Sequence, residues 1–151
     1  MELRVLGAHN AESKTTRLES HLIDKVLVLD AGGLTRSLTF EEQAGIRAVI
    51  LSHRHFDHVR DLLPLGVGLL TSGKTIDVYA IEDTVKFVSE NLLDGSLYPD
   101  FRIFPSPETP VFRFHTIEFY KEFQVLGYNV MAVPVYHAVP AAGFQITSGN
   151  T

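Results

Sequence analysis

The chain has 151 residues, 45% of them hydrophobic and 21% charged, the balance of one globular domain with a real core. Its formal net charge of -5 leaves no basic footprint for nucleic acid, and no Lys/Arg run marks a membrane surface. Having no cysteine excludes disulfides and thiolate metal sites, and no apolar run reaches the roughly 18 residues of a membrane span, so a cytoplasmic protein is expected.

Leu3-Arg4-Val5-Leu6 predicts a short strand ending at Gly7, and residues 8–18 read as a polar loop. His21-Leu22-Ile23 and Val26-Leu27-Val28-Leu29 predict a hairpin turning at Asp24-Lys25, with Asp30-Ala31-Gly32-Gly33 ending its second strand. Thr39, followed by Glu41 and Glu42, opens a short helix with acidic side chains in its first turn. Arg47 to Leu51 is an apolar strand. Beyond it Val59, Leu62, Leu63, Leu65 and Leu69 have helical spacing, which Pro64, Gly66 and Gly68 make irregular. Thr75 to Ala80 reads as a strand and Glu82 to Leu92 as an amphipathic helix. Pro99, Pro105, Pro107 and Pro110 keep residues 94–110 in extended loop. Phe112 to Phe119, Phe123 to Leu126, Asn129 to Tyr136 and Gly143 to Thr147 are expected as successive antiparallel strands. Alternating strands and helices followed by a β-meander predict a mixed α/β (α+β) layer structure.

The chemistry concentrates in His53-Arg54-His55-Phe56-Asp57-His58, at the end of a predicted strand. Imidazole and carboxylate suit borderline cations such as zinc. Residues two apart in extended backbone point the same way, so His53 and His55 can reach one cation together. Asp57 and His58 lie where the chain turns toward a helix and project to a second position nearby. Two cations would clamp the attacking and leaving oxygens of a hydrolysis and lower the pKa of bound water toward ~7. His137, after the strand Met131 to Tyr136 and before Val139-Pro140, is the candidate third histidine. His115 alternates with Phe112, Phe114 and Ile117, which suits a structural role or a substrate contact. His9 and His21 are expected on the surface or behind the site. Asn10, in the early loop, faces solvent or lines the cleft.

Ser52-His53-Arg54-His55-Phe56-Asp57-His58 resembles the HxHxDH signature of the metallo-β-lactamase-fold hydrolases. The resemblance implies a metal-dependent hydrolase with one or two zinc ions, or manganese or iron in their place. His53, His55 and His137 would hold the first metal, and Asp57 with His58 the second. Asp57 would also orient the attacking metal-bound hydroxide or relay its proton. Asp30, in a hairpin resembling the family's, would support the site by hydrogen bonding to a ligand histidine rather than binding metal.

Asn91 to Phe101, with its Tyr98-Pro99-Asp100, resembles a region of the class II cyclic-nucleotide phosphodiesterases. Val5-Leu6-Gly7 is similar to that group and to the ribonuclease Z branch. The continuation Val59-Arg60-Asp61-Leu62-Leu63-Pro64 departs from the glycine-rich one usual in ribonuclease Z, and the acidic balance offers no tRNA surface. A small-molecule phosphodiester is therefore the expected substrate, rather than nucleic acid. Ribonuclease Z-like hydrolysis and a non-catalytic metal-binding module are the alternatives.

The family's αβ/βα sandwich is built from two similar halves, each contributing ligands. Residues 1–151 match the N-terminal half only, with no aspartate after His137 to bridge two metals. The resemblance thus implies a single half-domain truncated near the turn-like Ser148-Gly149-Asn150-Thr151. The inner face of its sheet is expected to lack a partner, and a C-terminal half or a homodimer would complete the fold.

Overall fold

The computed structural model describes residues 1–149, so the turn expected at Ser148-Gly149-Asn150 reaches past the described residues. Strand β1 (Leu3–Gly7) pairs antiparallel with β2 (Ser20–Ile23), and β2 with β3 (Leu27–Leu29). The link turns at Asp24 (φ 45°) and Lys25 (φ 65°). Two left-handed residues in succession match the twist of the paired strands, so a short link, closed by Val26 N donating to Ile23 O at 3.0 Å, joins them without splaying.

The sheet continues parallel through β4 (Ala48–Ile50), β5 (Ile76–Ile81) and β6 (Phe112–Ile117), in the order β1-β2-β3-β4-β5-β6. Parallel neighbours need crossovers. These are α1 (Leu34–Ser37) with α2 (Phe40–Gly45), then α3 (Phe56–Val59) with α4 (Leu62–Leu69), then α5 (Glu82–Asn91). Strands β7 (Glu122–Val125), β8 (Tyr128–Val135) and β9 (Ala141–Ser148) form a separate antiparallel sheet.

Strand β6 runs against expectation. Phe112 to Phe119 was expected to open the antiparallel run, but β6 lies parallel to β5, with Phe112 opposite Ile76. Helix α5 and the loop after it carry the chain back to the starting edge of the sheet. Alternating side chains report which faces a strand shows, not which direction it runs.

Strand alternation sorts the core into two layers. Leu22, Val28, Val49 and Val78 turn toward the helices and meet Leu34, Leu62, Leu65, Val88 and Phe101. Ile23, Leu27, Ala48 and Ile50 turn the other way and pack on Val125, Tyr128 and Val130 of the second sheet. The inner face, expected to be bare, is therefore covered here by β7, β8 and β9. Nothing in the strand compositions distinguishes a meander that extends a sheet from one that folds over it.

Helix α4 stays regular across its awkward residues. Pro64 sits in the first turn, where its missing N–H has no intrahelical partner to lose. Gly66 lets the Phe101 ring lie against the helix, since a Cβ there would stand 2.4 Å from Phe101 Cδ2. Asp61, 1% exposed, ties the helical layer together. Its Oδ2 accepts from Thr35 N at 2.7 Å and Thr35 Oγ1 at 2.8 Å, and its Oδ1 accepts from Arg60 Nε at 2.8 Å.

Helix α2 begins in a capping box. Glu42 N donates to Thr39 Oγ1 at 3.2 Å, and Thr39 N donates to Glu42 Oε2 at 2.8 Å. Thr39→Ala is expected to lower stability by about 1 kcal/mol, visible as a lower urea midpoint at unchanged slope.

Candidate metal centre

Strands β3 and β4 end at the same edge of the parallel sheet, the edge where such sheets place their sites. The chain leaves β3 through Asp30, whose φ of 57° is left-handed, a conformation that aspartate tolerates better than most residues. That turn carries its carboxylate across to the end of β4. Asp30 Oδ1 accepts from Ser52 N at 2.7 Å, and Oδ2 accepts from Ser52 Oγ at 2.8 Å. Oδ2 also meets His58 Nδ1 at 2.8 Å, while Ser52 Oγ lies 2.9 Å from His53 Nδ1.

These bonds set the tautomers. An ionised carboxylate only accepts, so His58 carries a proton on Nδ1. Ser52 gives its hydroxyl proton to Asp30, so its oxygen accepts from His53 Nδ1–H. Each ring then directs Nε2 away from Asp30.

His53 Nε2 faces two further ring nitrogens. It lies 3.2 Å from His55 Nδ1, which lies 3.1 Å from His137 Nε2. The ligand atoms of the three residues all fall within 4.8 Å of one another. His55 stands at the entry to α3, and His137 on the link between β8 and β9. Ala142 N donates to Ser52 O at 2.9 Å, which pins the start of β9 beside the motif and brings His137 over it. His53 is 6% exposed, whereas His137 is exposed, so the group opens to solvent on one side.

This donor set fits a divalent cation. Tetrahedral bonds of about 2.0–2.1 Å put ligand nitrogens roughly 3.3 Å apart, close to the two spacings above. Burial pushes the His53 pKa down to about 4, and the charges of His58, His137 and His55 add to that against the pull of Asp30. His53 is thus neutral near pH 7, with a lone pair to offer.

Asp57 and His58 form an adjoining pair. His58 Nε2 lies 3.3 Å from Asp57 Oδ2, and the His58 ring centroid is 3.9 Å from that of His53. Burial lowers the His58 pKa, but Asp30, Asp57 and Glu19 outweigh it and hold the value above the ordinary one. The pair therefore attracts a proton or a cation to the space between them. Among the described residues no third ligand joins it in a metal-ligating cluster.

The other histidines stand apart. His115 Nε2 pairs with Asp77 Oδ1 at 2.7 Å, and its ring stacks on the cross-strand Tyr79 at 4.7 Å. His21 Nδ1 lies 3.3 Å from Glu19 Oε1, His9 makes a bridge to Leu18, and Asn10 is exposed. The Tyr98-Pro99-Asp100 segment lies at the surface and contacts its own chain neighbours. Tyr98 stacks on Phe101 at 6.4 Å, and Asp100 Oδ2 accepts from Arg102 at 2.6 Å.

Two residues important to the geometry had no role assigned from sequence. Ser52 joins Asp30 to both His53 and His58, and its position just before the first histidine was the available signal. Gly32 allows close contact: a Cβ there would meet Asp57 O at 1.7 Å. Asp30→Ala is expected to weaken zinc binding about 10–100-fold, measured by competition with a chelating dye, because the ligand rings lose their orienting bonds.

The layered sheets, flanking helices and three-histidine group define a metallo-β-lactamase-fold domain. The chain belongs to the Beta-lactamase superfamily domain family, whose model matches residues 22–151. It is 23% identical over 161 residues to a ribonuclease Z of Thermosynechococcus vestitus, covering 99% of this chain and 37% of that protein. The metallo-beta-lactamase fold protein YhfI from Bacillus subtilis superposes with a TM-score of 0.75 at 19% identity, over 98% of this chain and 58% of that one. Unliganded yeast PDE1 superposes with a TM-score of 0.74 at 12% identity, over 95% of this chain and 59% of that one. The chain thus spans 37% to 59% of the length of these relatives. The structural likenesses show the fold. No helix among the described residues is long and apolar enough to cross a membrane.

Proposed function

We propose that this chain carries the metal-holding half of a phosphodiesterase acting on a small phosphodiester, such as a cyclic nucleotide. The observation that supports this most is the convergence of His53 Nε2, His55 Nδ1 and His137 Nε2 beside the Asp57–His58 pair. Zinc, with manganese or iron as substitutes, is the proposed cofactor, held by the three histidines, with a second ion at Asp57 and His58. A divalent cation there supplies positive charge, which draws a phosphoryl oxygen and makes water easier to deprotonate.

The protein's own groups do the rest. Asp57 is the proposed catalytic residue: its carboxylate accepts a hydrogen bond from the attacking water and takes its proton. Asp30 and Ser52 hold the His53 and His58 rings at fixed angles, so the site needs little rearrangement when substrate arrives. Tight binding of a second ion needs more ligands than Asp57 and His58, and a further length of chain or a second copy would bring them. We place the protein in the cytoplasm.

The likeness to ribonuclease Z supports a second reading, cleavage of RNA. The net charge of -5 favours a small substrate over a polyanion. The test is to load the purified protein, together with any chain that follows residue 151, with zinc or manganese, count metal per chain, and assay bis(p-nitrophenyl) phosphate, cyclic nucleotides and a short RNA. Hydrolysis of the first two is expected. Bound metal without hydrolysis of any phosphodiester would overturn the reading in favour of a non-catalytic metal-binding module.

A further inference from the structure

A cavity of about 620 Å³ opens directly beside the three-histidine group, and His55 forms part of its wall. The remaining lining is largely apolar, with Phe56, Phe87, Leu97 and Val139 around the space. Phe56 is 63% exposed, Phe87 37% and Leu97 69%. Large apolar side chains left open to water around one concavity mark a ligand surface rather than a stray residue.

Two polar residues give the cavity a specific character. Arg54 lies between the ligands His53 and His55, with its guanidinium 5.1 Å from the centre of the Phe87 ring. Its charge is already met by Asp83 Oδ1 at 3.3 Å, so it adds a flat face to the wall more than an open anion site. Asn91 Nδ2 donates to Phe87 O at 2.9 Å. A backbone carbonyl only accepts, which fixes the amide orientation. Asn91 Oδ1 has no hydrogen bond among the described residues and remains an acceptor on a cavity-lining side chain.

We propose that this cavity is the ring subsite of the centre, taking the flat base of a nucleoside phosphate ester. Phe56 and Phe87 stack the ring, Asn91 Oδ1 accepts from an exocyclic amino group, and the phosphate reaches the histidines next door. An alkyl chain would fill the apolar space equally well but would leave the exposed Asn91 Oδ1 to water, whereas an amino group on a ring pairs with it directly. A charged headgroup finds no free countercharge there. Only the placement of the phosphate rests on the phosphodiesterase reading; the ring site stands on the cavity itself.

The test uses calorimetry on the zinc-loaded chain with adenosine, AMP, inosine 5′-monophosphate and methyl phosphate. AMP is expected to bind at least about tenfold tighter than methyl phosphate, the scale of one stacked base. It should also bind several-fold tighter than inosine 5′-monophosphate, which lacks the amino donor. The double variant Phe56→Ala/Phe87→Ala should bring AMP close to methyl phosphate, and Asn91→Ala should remove the preference over inosine 5′-monophosphate. The substituted phenylalanines are exposed, and Leu97→Asp, on a loop, gives an independent second block of the cavity. Equal affinity for AMP and methyl phosphate overturns the proposal, as does a base preference that survives both blocks. If adenosine binds, is lost on Leu97→Asp, and no phosphate ester binds more tightly than adenosine, the ring site stands and the phosphodiesterase reading fails.

Discussion

Zinc retention is expected to collapse in His53→Ala, with affinity at least about a hundredfold lower. A structural zinc site of four ligands is worth about 10–16 kcal/mol, or roughly 3 kcal/mol per ligand, so one lost nitrogen is a large change. His53 is also the buried member of its group, and the one whose tautomer Ser52 holds. Titration with a chromophoric chelator measures the effect, and phosphodiester hydrolysis should fall with it. Unchanged zinc affinity would remove His53 from the ligand set.

The same residue sets a pH dependence in the zinc-free protein. Its folded pKa of about 4 lies below the ordinary 6.5. Below pH 6.5 the unfolded chain takes up a proton that folded His53 refuses. Stability therefore falls as pH drops from 6.5 toward 4, by up to roughly 3 kcal/mol from this group. His58 acts in the opposite sense: its raised folded pKa contributes stability that is present at low pH and lost as pH rises through that value. Urea unfolding at several pH values reads the balance, and His53→Ala should remove the His53 part of the slope.

Gly32→Ala is expected to destabilise the fold by about 3–5 kcal/mol, lowering the melting temperature by roughly 10 °C. The added Cβ would stand 1.7 Å from Asp57 O and 2.8 Å from Glu19 O, both of them backbone atoms that cannot swing aside. Relief requires moving the turn after β3 away from α3. That strains the bonds Ala31 N→His58 O at 2.7 Å, Gly32 N→Glu19 O at 2.9 Å and Asp61 N→Ala31 O at 2.6 Å. Because Asp57 and His58 ride on this contact, residual folded protein should also bind metal less well. Gly68→Ala is the control. It sits in α4 with its nearest neighbour at 3.6 Å, and helix propensity alone predicts a gain of up to about 1 kcal/mol.

Local signals account for much of the architecture. The Asp24-Lys25 turn, the Thr39 cap and the strand before the motif each depend on residues close together in the chain. The four ligand-type residues in six positions identify the kind of chemistry for the same reason. His115 shows where such reading stops, since only its partner Asp77, 38 residues away, gives it a role.

By itself the sequence determined most of the elements, the mixed α/β class and a cluster of ligand-type residues at a strand end, because these follow from periodicity, capping and side-chain chemistry over a few residues. Only the tertiary structure decided that β6 runs parallel, that β7, β8 and β9 cover the sheet's other face, and that Ser52 joins Asp30 to two histidines. It also brought His137 to within 3.1 Å of His55 across 82 positions of chain. Strand direction, layer order and convergence of distant side chains come from burying apolar faces together, and no local pattern encodes which faces will meet.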